Sequence, residues 1–92
     1  MFIAISEYLK PISVMDEKRP QHQAFLKVHF ANDKLLTCGR LNSQDGGVII
    51  TKNITRSEFE NILSHDPYVI AGYCRYDITE FTPTINHESF NL

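Results

Sequence analysis

His22 is the residue whose type and position in this chain best suit acid–base chemistry. It follows Pro20 by two residues and falls on the apolar side of a helix-like run from Pro20 to Asn32. Because proline favours the first helical position, the run predicts His22 in the first turn, beside unpaired backbone N–H groups. That positive helix end would disfavour imidazolium and leave the neutral ring that a general base requires. A core histidine bonded to a backbone carbonyl explains the same pattern about equally well.

Apolar periodicity and turn residues divide the chain into four strands and two helices. An apolar run from Phe2 leads to Tyr8 as the first strand, which Pro11 ends, and Ser13 with Asp16 predicts a capped turn before Pro20. The remaining segments are strands at Leu35–Leu41 and Gly47–Lys52 joined by a hairpin, a helix from a capping box at Thr55 to Leu63, a break at Asp66-Pro67, and a strand at Tyr73–Phe81.

The resulting order, βαββαβ, predicts one α+β domain over residues 1–92 with a ferredoxin-like fold. We expect an antiparallel sheet in the order 4-1-3-2, with both helices on one face. Cys38 and Cys74 then lie on opposite edge strands, which excludes a disulfide within the monomer. Both cysteines are expected to be small buried hydrophobes rather than reactive thiols.

The central strands predict a partner for the other face of the sheet. A one-sided antiparallel sheet alternates apolar and polar residues, but Phe2 to Ile5 and Val48 to Ile50 are apolar throughout. Since the helices cover one face only, we expect a second copy of the chain to cover the other, giving a homodimer.

The predicted topology brings Asp66 to the end of the sheet that holds His22. The carboxylate could orient the imidazole and leave its second nitrogen to accept a proton from a substrate. Tyr8, Tyr68, Tyr73 and Arg75 are candidate substrate-binding residues at that end. Each has a plainer explanation: Asp66 before Pro67 is common turn chemistry, Arg75 is a solvated edge charge, and tyrosines often pack in cores.

Composition narrows the classes of function. The chain has a net charge of −2, so it shows no basic excess for nucleic acid. It contains no apolar stretch long enough for a bilayer, no signal-peptide pattern, no His/Cys/carboxylate cluster at metal-ligand spacing and no glycine-rich phosphate loop. We therefore expect a cytoplasmic protein without a metal or cofactor and with a small-molecule ligand.

Four short motifs resemble the YciI-like family of small proteins. They are Pro20 to Leu26, Gly46 to Ile49, Asp66 to Tyr68 followed by Ala71-Gly72, and Glu80 to Thr84. Tyr68 stands where the family usually carries phenylalanine. The resemblance implies a dimeric α+β barrel built from ferredoxin-like monomers, with a site on a His–Asp pair that corresponds to His22 and Asp66. A related dehydrochlorinase and the structurally similar muconolactone isomerases imply proton transfer or elimination on small cyclic substrates.

Our leading hypothesis is therefore a cofactor-independent enzyme in which His22 and Asp66 perform acid–base chemistry. The alternative is a non-catalytic dimeric module that binds a small ligand, with both residues only shaping the pocket. A third interpretation is a haem-handling relative on the same barrel fold.

Overall fold

A four-stranded antiparallel sheet with helices on one face forms the fold, as the sequence predicted. The computed structural model describes residues 1–90. The strand order is β2-β3-β1-β4, which is the expected order read from the opposite edge. Its elements are β1 (Phe2–Tyr8), α1 (Ile12–Ala31), β2 (Leu35–Arg40), β3 (Gly46–Thr51), α2 (Arg56–Ser64), α3 (Pro67–Ile70) and β4 (Cys74–Glu80).

The core lies between the sheet and the helices. Phe2 and Ala4 on β1 pack with Leu26 of α1 and Phe59 of α2, and all four side chains are buried. The Phe2 and Phe59 rings stack with centroids 5.7 Å apart. Burying such aromatic rings contributes about 1.5–3 kcal/mol each, so this layer holds the helices on the sheet.

The first helix starts eight residues earlier than the sequence predicted. It begins at Ile12 with Pro11 as its N-cap and includes Pro20 without ending there. The predicted cap at Ser13 is wrong, because no side chain of residues 1–90 caps the helix and Asp16 instead contacts Arg40 at 2.8 Å. Proline inside a helix costs about 3 kcal/mol. Complete burial of Met15, one turn earlier, offsets part of that cost, so packing overrides the proline signal.

The second helix follows its local signal. The Thr55 hydroxyl accepts a hydrogen bond from the Glu58 backbone N–H at 3.2 Å, as a capping residue does. The break at Asp66-Pro67 is also present, but a further short helix, α3, follows it. That helix was not predicted, since four residues are too few to show a period.

The two cysteines lie on opposite edge strands and are both free, as expected. Cys74 is buried, but the expectation that Cys38 is buried is wrong. Cys38 faces the helical side of the edge strand β2, at a point where a cavity separates the strand from α1.

The face of the sheet away from the helices is aliphatic at its centre. Ile3 pairs with Ile50, and Ile5 pairs with Val48, across β1 and β3. Ile5 is 49% exposed, and the other three side chains are partly exposed. We call these four residues the open face. Within residues 1–90 no element covers it.

Candidate functional site

His22 and Asp66 meet although 44 positions separate them in the chain. The imidazole Nδ1 lies 2.8 Å from the Asp66 carboxylate oxygen Oδ1. Asp66 is completely buried, while 15% of the His22 side chain is exposed. The arrangement therefore places a carboxylate behind the ring and leaves the ring with access to solvent.

The position of His22 differs from the sequence prediction. The residue lies in the middle of α1 rather than in its first turn, because the helix starts at Ile12. The argument from the positive helix end is therefore wrong, since that effect falls off within one turn. The immediate electrostatic neighbour of the ring is the carboxylate of Asp66.

Local backbone structure explains why Asp66 is where it is. Asp66 is the N-cap of α3, and its Oδ1 also accepts a hydrogen bond from the Tyr68 backbone N–H at 2.9 Å. Pro67 occupies the first helical turn, which suits a residue without an N–H donor. The second carboxylate oxygen accepts a hydrogen bond from the Tyr76 hydroxyl at 2.7 Å. Three donors thus hold the buried carboxylate in one orientation.

The hydrogen bond to Asp66 selects the tautomer of His22. An ionised carboxylate can only accept, so Nδ1 carries the hydrogen, and in the neutral ring the lone pair is on Nε2. The ring plane is set by Tyr68, which stacks on it with centroids 4.1 Å apart and planes 12° apart. The Tyr68 hydroxyl in turn donates to the Met15 carbonyl at 3.1 Å. The imidazole is therefore fixed both in plane and in tautomer.

Beside this ring lies an open cavity of about 170 Å³ between α1 and the sheet. Its polar walls come from α1, α3 and the strands, and the side chains that matter for chemistry are His22, Arg19, Tyr8, Arg40, Tyr68 and Tyr76. Leu26 and Ile49 contribute apolar wall. A concave site with a few convergent polar groups and aromatic rings is typical of small-molecule binding.

Tyr8 and Arg40 form a second polar pair on the cavity wall. Arg40 Nε donates a hydrogen bond to the Tyr8 hydroxyl oxygen at 3.2 Å, and the guanidinium carbon lies 5.5 Å from the Tyr8 ring centroid. A second guanidinium nitrogen, Nη2, lies 2.8 Å from the Asp16 carboxylate. Only 14% of the Arg40 side chain is exposed, and its contacts with Tyr8 and Asp16 hold the guanidinium in one position.

Four of the six predicted site residues are brought together and two are not. His22, Tyr8 and Tyr68 line the cavity, and Asp66 lies directly behind His22. Arg75 pairs with Glu7 on the other side of the sheet, at 2.6 Å, and is 69% exposed. Tyr73 packs against the buried cluster of Met15, Tyr68 and Cys74, and Lys18 Nζ lies 5.5 Å from its ring centroid. Neither Tyr73 nor Arg75 lines the cavity.

Sequence reasoning missed Tyr76 and Arg40. Alternation along the predicted last strand contained the signal for Tyr76, because Cys74 and Tyr76 share one face and Arg75 points to the other. The same alternation places Arg40 beside Cys38 on the helical face of β2. The contact between Arg40 and Asp16 depends on the length of α1, because Asp16 lies in a turn that was predicted to precede the helix.

Burial determines the protonation of the groups around Asp66. Burial, and then the neighbouring Asp66 charge, raise the pKa of Tyr76 far above its usual range, so the phenol keeps its proton and donates to Asp66. The same two causes, burial first, raise the pKa of Cys74 to about 12. Burial is also the main cause that raises the pKa of Tyr68. These groups support the site as neutral donors and packing surfaces.

Two further findings concern metals and membranes. Over residues 1–90 no three or more His, Cys, Asp or Glu side chains cluster closely enough to bind a metal ion. In that same range no helix is sufficiently long and apolar to cross a lipid bilayer.

Comparison with known proteins places the chain in a family. The model of the YCII-related domain matches residues 1–82, so the chain belongs to the YCII-related family. The search among curated proteins finds no match. Among solved structures the chain is similar to 5-chloro-2-hydroxyhydroquinone dehydrochlorinase from Burkholderia phenoliruptrix AC1100, in complex with 2,5-dihydroxybenzoquinone. The identity is 19%, the TM-score is 0.69, and the match covers 89% of this chain and 94% of the other.

That structural likeness confirms the α+β ferredoxin-like fold. The family match confirms the YciI-like resemblance that the four sequence motifs carried. A fold hosts many reactions, so the activity of this chain depends on the groups around its own cavity.

Proposed function

We propose that the protein is a cofactor-independent enzyme that moves a proton on a small cyclic substrate, in an isomerisation or elimination. The observation that carries the proposal is the 2.8 Å contact between His22 Nδ1 and the buried carboxylate of Asp66, with the same imidazole on the wall of an open cavity. A histidine held in this way is suited to act as a general base through Nε2.

In the proposed mechanism His22 and Asp66 have different roles. Nε2 of His22 accepts a proton from a C–H or O–H group of the substrate, and the imidazolium that forms is stabilised by the adjacent Asp66 carboxylate. Asp66 does not touch the substrate, because it is buried behind the ring, and it acts as a positioning residue. Tyr8 and Tyr68, which line the cavity, provide contacts to the substrate ring.

The similar dehydrochlorinase supports the reaction class. By its name that enzyme acts on a chlorinated hydroxyhydroquinone, and it was solved with 2,5-dihydroxybenzoquinone. Loss of hydrogen chloride from a ring requires removal of a proton, which a histidine base can provide. We therefore infer that a small, flat, oxygenated ring is the class of substrate to test first.

Proton transfer can be tested before the physiological substrate is identified. The protein is incubated in D2O with 2,5-dihydroxybenzoquinone and a panel of small cyclic ketones and enols, and C–H to C–D exchange is followed by NMR. We expect His22→Gln to slow exchange about a hundredfold, the lower end of the usual contribution of a general base. His65→Gln is the control, since His65 is an exposed histidine at the end of α2.

Two results would contradict the enzymatic proposal. One is an exchange rate that is the same in the wild-type protein, in His22→Gln and in His65→Gln. The other is saturable binding of a panel compound in the cavity with neither conversion nor exchange.

The second of those results would favour a small-ligand-binding module. One feature of the site suits that alternative: Asp66 already caps α3 and accepts from Tyr76, so its conformation has a structural explanation without catalysis. In that case His22→Gln weakens ligand binding and there is no turnover to lose. A cytoplasmic location fits either function and stays a prediction.

We also propose that a second copy of the chain packs on the open face. Ile3, Ile5, Val48 and Ile50 form a contiguous aliphatic surface at the centre of the sheet, and exposing such a surface to water is unfavourable. The two-fold pairing of one face with itself brings these side chains together without requiring another protein.

Analytical ultracentrifugation tests this homodimer. We expect a mass of twice the 10.6 kDa chain, and Ile5→Lys should raise the dimer dissociation constant at least about tenfold because it would bury a charge. Val28→Lys is the control, because Val28 is a similarly exposed aliphatic residue on α1, away from the open face. A monomeric wild-type protein, or equal effects of the two variants, would refute the proposed interface.

A further inference from the structure

The charges around the cavity are arranged unevenly. Among residues 1–90, Arg19 and Arg40 both line it and no aspartate or glutamate does. Two carboxylates contact residues of the cavity wall without lining the cavity themselves: Asp66 contacts His22, and Asp16 contacts the Arg40 guanidinium. The cavity of a chain with net charge −2 is therefore walled by positive and neutral groups.

Polar contacts fix the position of Arg40 on the cavity wall. Its Nε donates to the Tyr8 hydroxyl and another nitrogen contacts Asp16, so the guanidinium is held by two partners and is only 14% exposed. A pre-positioned guanidinium loses little side-chain entropy when an anion binds. Asp16 is 51% exposed, so solvent weakens its hold on the Arg40 charge.

The Tyr8 hydroxyl adds a donor to the same place. Its oxygen accepts the hydrogen bond from Arg40, which leaves its own hydrogen free to be donated to another group. Tyr8 also connects this pair to the base, because its ring meets Tyr68 edge-on at 6.0 Å and Tyr68 stacks on His22. One wall thus carries a donor pair, and an aromatic contact links it to the imidazole.

We propose that Arg40 and Tyr8 form an anion-binding subsite, and that the substrate is a flat ring bearing a carboxylate or an ionised hydroxyl. This inference rests on the proposed function, because the subsite lies in the cavity that we propose as the active site. It adds the charge of the substrate and the two residues that recognise that charge. Arg40 holds the negative oxygen, Tyr8 donates to it, and the ring carbon that loses the proton faces His22.

Matched ligands test the subsite without turnover. Benzoate and benzamide have nearly the same shape and differ in charge, and their binding is followed by protein NMR. We expect benzoate to bind about tenfold tighter than benzamide, as a charged hydrogen bond within a cavity provides. Arg40→Gln should abolish that preference, Arg40→Lys should keep part of it, and Arg75→Gln should leave it unchanged. Arg75 is the matched control because it pairs with Glu7 on the other side of the sheet.

Asp16→Asn is expected to change the affinity for benzoate in the opposite direction to Arg40→Gln. Removing the carboxylate that competes for Arg40 should tighten benzoate binding severalfold while leaving benzamide unchanged. Simple destabilisation of the fold would weaken both ligands, so it cannot produce this result. If Arg40→Gln does not fold, Arg40→Lys and Asp16→Asn still decide the question.

Several outcomes would overturn the subsite: equal affinities for benzoate and benzamide, no binding of benzoate, a preference that survives in folded Arg40→Gln, or an unchanged preference in Asp16→Asn. The proposed enzymatic function fails separately. If no exchange that depends on His22 is detected but benzoate is still preferred over benzamide, the protein binds anions without catalysing proton transfer.

Discussion

Replacing Asp66 by alanine is expected to cost about 3–5 kcal/mol of folding free energy. The carboxylate is completely buried and accepts hydrogen bonds from His22 Nδ1, the Tyr68 backbone N–H and the Tyr76 hydroxyl. Alanine leaves those three donors without their acceptor in a buried space and also removes the cap of α3. Urea unfolding, followed by circular dichroism, measures the change.

Asp66→Asn is the matched variant because it retains the oxygen atom to which two of the three donors bind. Oδ1 accepts from both His22 and Tyr68, and an asparagine keeps that oxygen. The new amide would face the Tyr76 hydroxyl, which can accept as well as donate. We therefore expect Asp66→Asn to cost only about 1 kcal/mol of stability.

The same asparagine variant separates structure from catalysis. It lacks the negative charge that stabilises imidazolium, so proton exchange should fall by about a hundredfold although the fold is retained. If Asp66→Asn exchanges at the wild-type rate, the carboxylate has only a structural role. If Asp66→Ala is as stable as the wild type, the hydrogen-bond network does not hold the site.

Substituting Gly46 by alanine is expected to destabilise the protein by at least about 3 kcal/mol. A Cβ at this position would overlap the Ser6 backbone carbonyl of the neighbouring strand. Gly46, the first residue of β3, pairs with Glu7 near the end of β1. Because both strands are paired on their other sides too, the backbone cannot move away without breaking the register.

Gly39 provides the control for this substitution. A Cβ there has nothing within 4 Å, and the residue lies on the edge strand β2. Gly39→Ala should change stability by no more than about 0.5 kcal/mol, as a surface substitution does. Thermal or urea unfolding of the two variants compares them directly, and similar losses for both would show that the close approach at Gly46 does not limit the fold.

Elements with strong local signals could be predicted from the sequence. The short apolar runs, the turn residues at 42–46 and the capping threonine each depend on neighbours within a few positions. Once four strands and two helices are ordered as βαββαβ, connection rules leave few arrangements, and the observed strand order is the expected one. His22 and Asp66 were brought together by that topology.

Features that depend on distant contacts could not be predicted in this way. Pro20 signals a helix start, but burial of Met15 and the contact between Asp16 and Arg40 keep the preceding turns helical. Cys38 is apolar enough for a core and is nevertheless exposed, because the cavity lies beside it. Arg75 and Arg40 are both strand arginines, and only the register places one on each side of the sheet.

The sequence by itself determined the fold class, the family and the pair of residues most suited to acid–base chemistry, because these follow from local pattern and from the order of the elements. Only the tertiary structure decided how that pair is held. The buried carboxylate, its three donors, the ring stacked on His22 and the arginine on the cavity wall come from four separate elements, α1, β2, α3 and β4. Their distances are set by packing between residues far apart in the chain, which no local sequence pattern records.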